Sequence, residues 1–320
     1  MRKSMKDFFS FYHDMRSKPV YFILGPQGSG SNLTSNLFIK VFGCEAVRDR
    51  SLIFNAAVRI KKDNSSIKKE VDYVIGKLFP NAFNKRFFGG KHYHHQNKNY
   101  IGIGEFVSKV PMQTAEDFAY FFYAYHAWKN GHDMIAVKSD DIWENLEHLE
   151  SIFSNGRFIL LVRDPRDNAL SVMRKNFGPR DIYVSSKYIK QRLNIYTRFC
   201  EKHENRGLMI KYEDILNQPV ECVRKIAQKF EMTIPTDLEE RIESLKIRPY
   251  NSQKWRRLSD NDLLIAETIL LNELKQFGYE TVNQTFYHID KNTAFKHNVN
   301  DMWQRVPQKL KYVFGNIVSP

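Results

Sequence analysis

The sequence predicts an α/β fold built on a parallel β-sheet with helices on both faces. Three observations carry that prediction. Short, continuous apolar runs recur at 20–24 (VYFIL), 134–138 (MIAVK), 157–162 (RFILLV) and 208–211 (LMIK), the pattern of strands buried on both sides. Longer stretches with helical spacing of apolar residues separate these runs, the alternation a parallel sheet requires. The first run leads at once into a glycine-rich turn and then into a helical stretch.

Taken in order, the run 20–24 is followed by a turn from Gly25 to Ser31 and a helix over about 33–42. A helix over 114–129 carries Phe118, Phe121, Phe122, Tyr125 and Trp128 at helical spacing. That stripe predicts core packing first and a substrate wall second. The strand 134–138 and a helix over 142–153 precede the strand 157–162. Pro165 then breaks the chain, and a helix runs from about 167 to 176. An amphipathic helix over 188–204, the strand 208–211 and helices near 219–230, 236–245 and 260–276 complete the alternation, with Gly278 as the stop signal of the last. Ligands of such sheets bind beyond the carboxyl ends of the strands. The turns after 20–24, 134–138 and 157–162 should therefore converge on one crevice.

The 320 residues suffice for one large domain with a sizeable core. The organisation reads as one domain over 1–280 and a C-terminal extension over 281–320 packed on it. No apolar run approaches the roughly 20 residues that cross a bilayer, and the basic, aromatic start MRKSMKDFFSFYHDMRSKP does not read as a signal peptide. With three widely spaced cysteines, Cys44, Cys200 and Cys222, this predicts buried thiols and a cytoplasmic protein. Lysine and arginine total 49 against 36 acidic residues, a net charge of +13. Such a balance favours anionic partners, but no recognised nucleic-acid-binding motif is present, and no nucleic-acid partner is expected.

GPQGSGSN, Gly25 to Asn32, sits between a strand and a helix. Glycines at 25, 28 and 30 let the backbone turn tightly and aim its N–H groups inward, and the helix adds its positive end. Gly28, Ser29, Gly30, Ser31 and Asn32 are thus expected to hold a phosphate, the last two serines and the asparagine adding side-chain donors. The loop is P-loop-like without being a nucleotide triphosphatase loop: Ser31 and Asn32 stand where that pattern has lysine and a metal-binding hydroxyl. A second anion site is predicted by RFILLVRDPRDNALSVMRKNF. Arg163 ends a strand and Ser171 lies in the second turn of the next helix, so a guanidinium and a hydroxyl can grip one phosphate.

At this point the sequence resembles the sulfotransferase family over roughly 20–280. Arg163 and Ser171 match, in spacing and context, the family's strand-end arginine and helix serine for the 3′-phosphate of the donor. KYEDIL at 211–216, with Tyr212, resembles the family's YEDL element. SQKWRRL at 252–258, with Lys254, Arg256 and Arg257 and Trp255 beneath, resembles the basic segment that closes over the donor's 3′ end. VKSDD at 137–141 is similar to a lysine-bearing turn of bacterial, carbohydrate and tyrosyl-protein members. The resemblance implies sulfuryl transfer from 3′-phosphoadenosine 5′-phosphosulfate to a hydroxyl or amine on a small molecule, glycan, lipid or peptide, with no metal. The sequence departs at the first loop, where the family's lysine or arginine falls on Gly28 or Gln27. Lys138 is expected to replace that cation, the competing reading being that it merely pairs with Asp140 or Asp141 in a weak or inactive enzyme, and Gly28→Lys is expected to rescue part of the turnover lost in Lys138→Ala. Glu45 is the expected general base, ahead of Glu105, His95 and His126. The group His92, His94 and His95 reads as a solvated loop rather than a metal site. An inactive, nucleotide-binding relative and a P-loop kinase are the alternative functions.

Overall fold

A computed structural model describes residues 5–48, 52–78, 103–107, 109–139, 142–176, 178–247 and 252–315. The elements are α1 (Met5–Ser17), β1 (Val20–Leu24), α2 (Ser31–Phe42), β2 (Glu45–Arg48), α3 (Leu52–Lys62), α4 (Ile67–Leu78), α5 (Gly104–Val107), α6 (Ala115–Asn130), β3 (Ile135–Lys138), α7 (Glu147–Ile152), β4 (Arg157–Val162), α8 (Pro165–Met173), α9 (Ile182–Lys202), β5 (Gly207–Lys211), α10 (Tyr212–Asn217), α11 (Pro219–Phe230), α12 (Leu238–Glu243), α13 (Asp260–Gln276) and α14 (Lys291–Gly315). Among the described residues the sheet has five strands in the order β2-β3-β1-β4-β5. Every neighbouring pair is parallel.

The alternation of side chains along the strands separates two layers of core. Phe22 and Leu24 of β1 and Phe158, Leu160 and Val162 of β4 face a large cluster with α1, α3, α6, α8, α9 and α13. Tyr21, Ile23, Ile159 and Leu161 face a smaller cluster with α2, α11 and α12. Both sides of each central strand are therefore dry, which is why these strands read as unbroken apolar runs. The aromatic stripe of α6 is fully inside, with Phe118, Phe121, Phe122 and Tyr125 at zero exposure.

Several boundaries differ from expectation for local reasons. Helix α8 starts two residues early, because Asp164 accepts from the Arg166 N–H and Pro165 takes the first helical position. Helix α9 starts at Ile182, where Asp181 accepts from the Tyr183 N–H. The expected helix over 142–153 is a 3₁₀ turn, Trp143–Asn145, followed by the short α7. The edge strand β2 was not expected. Gly278 ends α13 as expected: at φ +66° it donates to Lys275 O, while Tyr279 N–H donates to Leu274 O.

The residues after 280 return to the domain. Buried Glu267 of α13 accepts from the backbone N–H groups of Val282 and Asn283 at 3.0 and 2.9 Å. Further on, His297 and Asn300 of α14 bond Asp181, and Asp301 accepts from the Arg180 and Asp181 N–H groups. Among the described residues no helix is long and apolar enough to cross a membrane.

Candidate functional site

The carboxyl ends of β3, β1 and β4 lie side by side, with Ile23 opposite Lys138 and Leu24 opposite Leu160. The turns that follow them are thereby gathered at one edge of the sheet. The loop after β1 depends on its glycines: Gly25, Gly28 and Gly30 all have positive φ, at 149°, 89° and 105°. Close approach is as strict as the dihedral. A Cβ on Gly28 would lie 2.6 Å from Ser171 Oγ, and a Cβ on Gly30 would lie 2.2 Å from Tyr212 Cδ2. The first intrahelical bond of α2 is Thr34 N–H to Gly30 O, so the first-turn N–H groups point out of the helix toward the loop.

The loop touches the turn after β4 directly. Arg163, at the end of β4, donates from Nη1 to Gly28 O at 3.0 Å and from Nη2 to Asp167 Oδ2 at 3.1 Å. Its guanidinium lies 4.9 Å from the Tyr212 ring centroid. Asp167 also accepts from the Trp255 N–H at 2.8 Å, which ties the turn Lys254–Arg257 to α8. Burial raises the Asp167 pKa, against the pull of Arg163. Arg166 turns the other way. It is buried over the Trp255 ring at 3.8 Å and bonded to Asp164 and Glu267.

A cleft of about 150 Å³ opens on this framework, lined by Arg163, Asp167, Leu170, Ser171, Arg174, Lys175 and Lys254. Four cations face one carboxylate there. Burial and the neighbouring Arg163 and Arg174 charges lower the Lys254 pKa from its ordinary value. This is the electrostatic state of a site that gains from a multiply charged anion. Arg174 and Lys175 were not anticipated. They follow Ser171 by three and four residues, and helical spacing could have put them beside it.

The expected site residues divide into groups. Arg163, Ser171 and Lys254 meet in the cleft, whereas Arg256 and Arg257 are exposed and do not line it. Arg256 donates to Gln253 Oε1 and stacks on Trp255. Ser31 is buried and Asn32 exposed at the start of α2. Ser29 is fully buried, and its Oγ lies close under Gly25 without a hydrogen-bond partner among the described atoms. Tyr212 supports the loop at Gly30 and Arg163 at once, a positioning role beneath the site. Its neighbour Glu213 accepts from the Asp164 N–H at 3.1 Å and from Tyr279 Oη at 2.7 Å. The YED sequence thus fixes both the loop after β1 and the turn after β4.

Lys138 closes β3 beside β1, on the crevice side of the sheet. Asp140 and Asp141, its possible partners in the sequence reading, lie outside the described residues, as do His92, His94 and His95. Glu45 is placed differently from expectation. It begins β2 opposite Ile135, at the amino end of β3, with Lys138 at the other end of that strand. Its carboxylate is engaged by His126 Nδ1 at 3.1 Å and His132 Nε2 at 3.4 Å. Glu45 and His126 are therefore not brought to the crevice. Glu105 is exposed on α5. The idea of a lysine at position 28 also fails, since Gly28 has both a positive φ and Ser171 against it. At position 27 the side-chain oxygen of Gln27 accepts from Tyr188 Oη at 3.3 Å, while Asn168 Nδ2 donates to Gln27 O. Among the described residues no group of three or more His, Cys, Asp or Glu is placed to hold a metal ion.

A model of the sulfotransferase family matches residues 19–236. That is more than half of the chain, and the chain belongs to this family. In structure it is similar to the sulfotransferase domain of the Synechococcus PCC 7002 olefin synthase, at 17% identity and a TM-score of 0.50, over 82% of this chain and 95% of that one. It is also similar to the sulfotransferase domain from the curacin biosynthetic pathway, at 16% identity and a TM-score of 0.52, over 82% and 99%. At these identities the likeness speaks to fold. A search of curated protein sequences returns no match.

Proposed function

We propose that the chain transfers a sulfuryl group from 3′-phosphoadenosine 5′-phosphosulfate to a hydroxyl or amine acceptor. The observation that carries this reading is the continuity of the two anion sites. Arg163 donates to the carbonyl of Gly28, and Ser171 packs against the same glycine. A P-loop-like turn for the 5′-phosphosulfate and a cationic cleft for the 3′-phosphate thus share a wall, as a donor with phosphates at both ends of one nucleoside demands. Arg163, Ser171, Arg174, Lys175 and Lys254 hold the 3′-phosphate. Backbone N–H groups of the loop and the first turn of α2 hold the 5′ end. Tyr212 and Trp255 keep these elements in place.

In the reaction the acceptor oxygen or nitrogen attacks sulfur and gives up its proton. The bond from sulfur to the bridging oxygen breaks, and 3′-phosphoadenosine 5′-phosphate leaves with the electron pair. Charge grows on that bridging oxygen, and Lys138 supplies the cation that the loop lacks. Gln27 and Gly28 favour a second reading, a relative that binds the donor but does not transfer. Thermal unfolding with 3′-phosphoadenosine 5′-phosphate, compared with ATP and magnesium, tests the binding half: the former should stabilise the protein and the latter should not. Stabilisation by ATP and magnesium alone would favour a kinase. Turnover of labelled donor across alcohol, amine, glycan and peptide acceptors separates transfer from binding alone.

A further inference from the structure

Helix α14 is amphipathic in the wrong sense for a helix lying on a domain. Its inward side is polar: His297, Asn300 and Asp301 make the bonds to Asp181 and to the Arg180 and Asp181 N–H groups. Its outward side is apolar. Phe295 is 68% exposed, Met302 58%, Trp303 67% and Val306 38%. At about 100° per residue these side chains fall on one face, with partly exposed Val299 among them and the bonded residues on the opposite face. From 295 to 306 the stripe runs for roughly 16 Å at the helical rise. A monomer gains nothing from holding such a face in water.

The charges along the helix indicate what covers it. Exposed Lys291 and Lys296 flank the stripe on its two sides. The acids of the helix are turned away from it or engaged. Asp301 is 5% exposed on the docked side and pairs with Arg305, and Asp290 accepts from the Asn292 and Thr293 N–H groups at the start of the helix. Pairing two copies through this face would set cation against cation in a chain of net charge +13. An anionic bilayer surface has the opposite requirement: apolar and aromatic groups enter at headgroup depth while lysines at the margin meet the lipid phosphates.

We propose that the outward face of α14 docks the protein on an anionic lipid surface, lying in the interface without crossing it. The inference is independent of the reaction assigned to the crevice. Co-sedimentation of the full chain with phosphatidylcholine vesicles, with and without phosphatidylglycerol, tests it. Binding should need phosphatidylglycerol and weaken with salt. It should fall by roughly tenfold or more in Phe295→Ser/Trp303→Ser, because two large apolar side chains leave the interface. Lys291→Glu/Lys296→Glu should weaken it as well. Brominated acyl chains should quench tryptophan emission in the wild type and not in Trp303→Phe. Circular dichroism of each variant should match the wild type, since these side chains are exposed. Absence of wild-type binding would overturn the proposal. So would equal binding by Phe295→Ser/Trp303→Ser, which would assign any lipid attraction to cations elsewhere. A wild-type dimer in sedimentation velocity that this double variant splits would put a second copy on the face instead.

Discussion

Replacing Gly30 by alanine should damage the protein out of proportion to one methyl group, and Tyr212 should be half of the reason. Gly30 has φ +105°, and the new Cβ would sit 2.2 Å from Tyr212 Cδ2. The dihedral alone costs about 1–3 kcal/mol for a residue with a side chain. The overlap adds about 1–3 kcal/mol, because the ring is 5% exposed and backed by Arg163 and cannot swing away freely. Tyr212→Ala by itself should cost about 3–5 kcal/mol through the cavity it leaves. In the double variant the overlap is gone but the dihedral strain stays, so its loss should be smaller than the sum of the singles by about 1–3 kcal/mol. Denaturant unfolding of the four proteins measures this cycle. Donor-product affinity adds a second readout, since a displaced ring takes Arg163 with it. Losses that add to within about 0.5 kcal/mol would show that the ring does not limit position 30.

Lys138→Ala should lower turnover by about a hundredfold or more while leaving donor-product affinity nearly unchanged, as expected of a charge that acts when the bond breaks; wild-type turnover in single-turnover assays would remove Lys138 from the mechanism. Lys254 should give binding a pH dependence. Its pKa is lowered in the free protein by burial and by Arg163 and Arg174, and a bound phosphate raises it again. Binding at alkaline pH should therefore take up protons, and affinity should fall as pH rises through the free value, below the ordinary 10.5. Calorimetry in buffers of different ionisation enthalpy reads this directly, and Lys254→Met should abolish the uptake. Glu45→Gln should leave turnover intact and cost about 1–3 kcal/mol of stability, because the carboxylate serves His126 and His132 at the far end of the sheet; a turnover loss matching that of Lys138→Ala would return Glu45 to the chemistry.

Of the four strands that could be read in the sequence, β1, β3 and β4 lie inside the sheet, where continuous apolar residues leave a clear trace, while the half-buried edge strand β5 still carries the short apolar run LMI. Strand β2, Glu45–Arg48, has four residues at the sheet edge and starts with a charge, so no such trace exists. Missing it left Glu45 free in the sequence reading to stand near the ligand, when it in fact begins a strand at the other end. The residues gathered at the cleft and the glycine loop were legible because they are local: the loop glycines fall within six residues, and Arg163 and Ser171 share one strand-to-helix turn. Roles set by long-range contact were not legible. The ring of Tyr212 fills the space above Gly30, 182 positions away by their numbers, and the bond from the Trp255 N–H to Asp167, with Arg166 on the Trp255 ring, anchors the turn from which Lys254 lines the cleft while Arg256 and Arg257 do not. The same geometry explains the departure at position 28. A glycine is required there by its positive φ and the closeness of Ser171, so on the proposed function the cation comes from another strand.

On the proposed function, the cleft of Arg163 and Ser171 reads the 3′-phosphate of the donor. Calorimetric titration of wild type and Arg163→Ala with 3′-phosphoadenosine 5′-phosphate and with adenosine 5′-phosphate, which lacks that group, tests it most directly. The wild type should prefer the former by well over tenfold. Arg163→Ala should lose about 1.5–3 kcal/mol more on the former than on the latter, since the lost charge-assisted bonds to the nucleotide go to the 3′-phosphate, whereas the lost bond to Gly28 O affects both nucleotides alike. Equal affinity of the wild type for both nucleotides, or an equal loss on both in the variant, would remove Arg163 and its cleft from recognition of the 3′-phosphate.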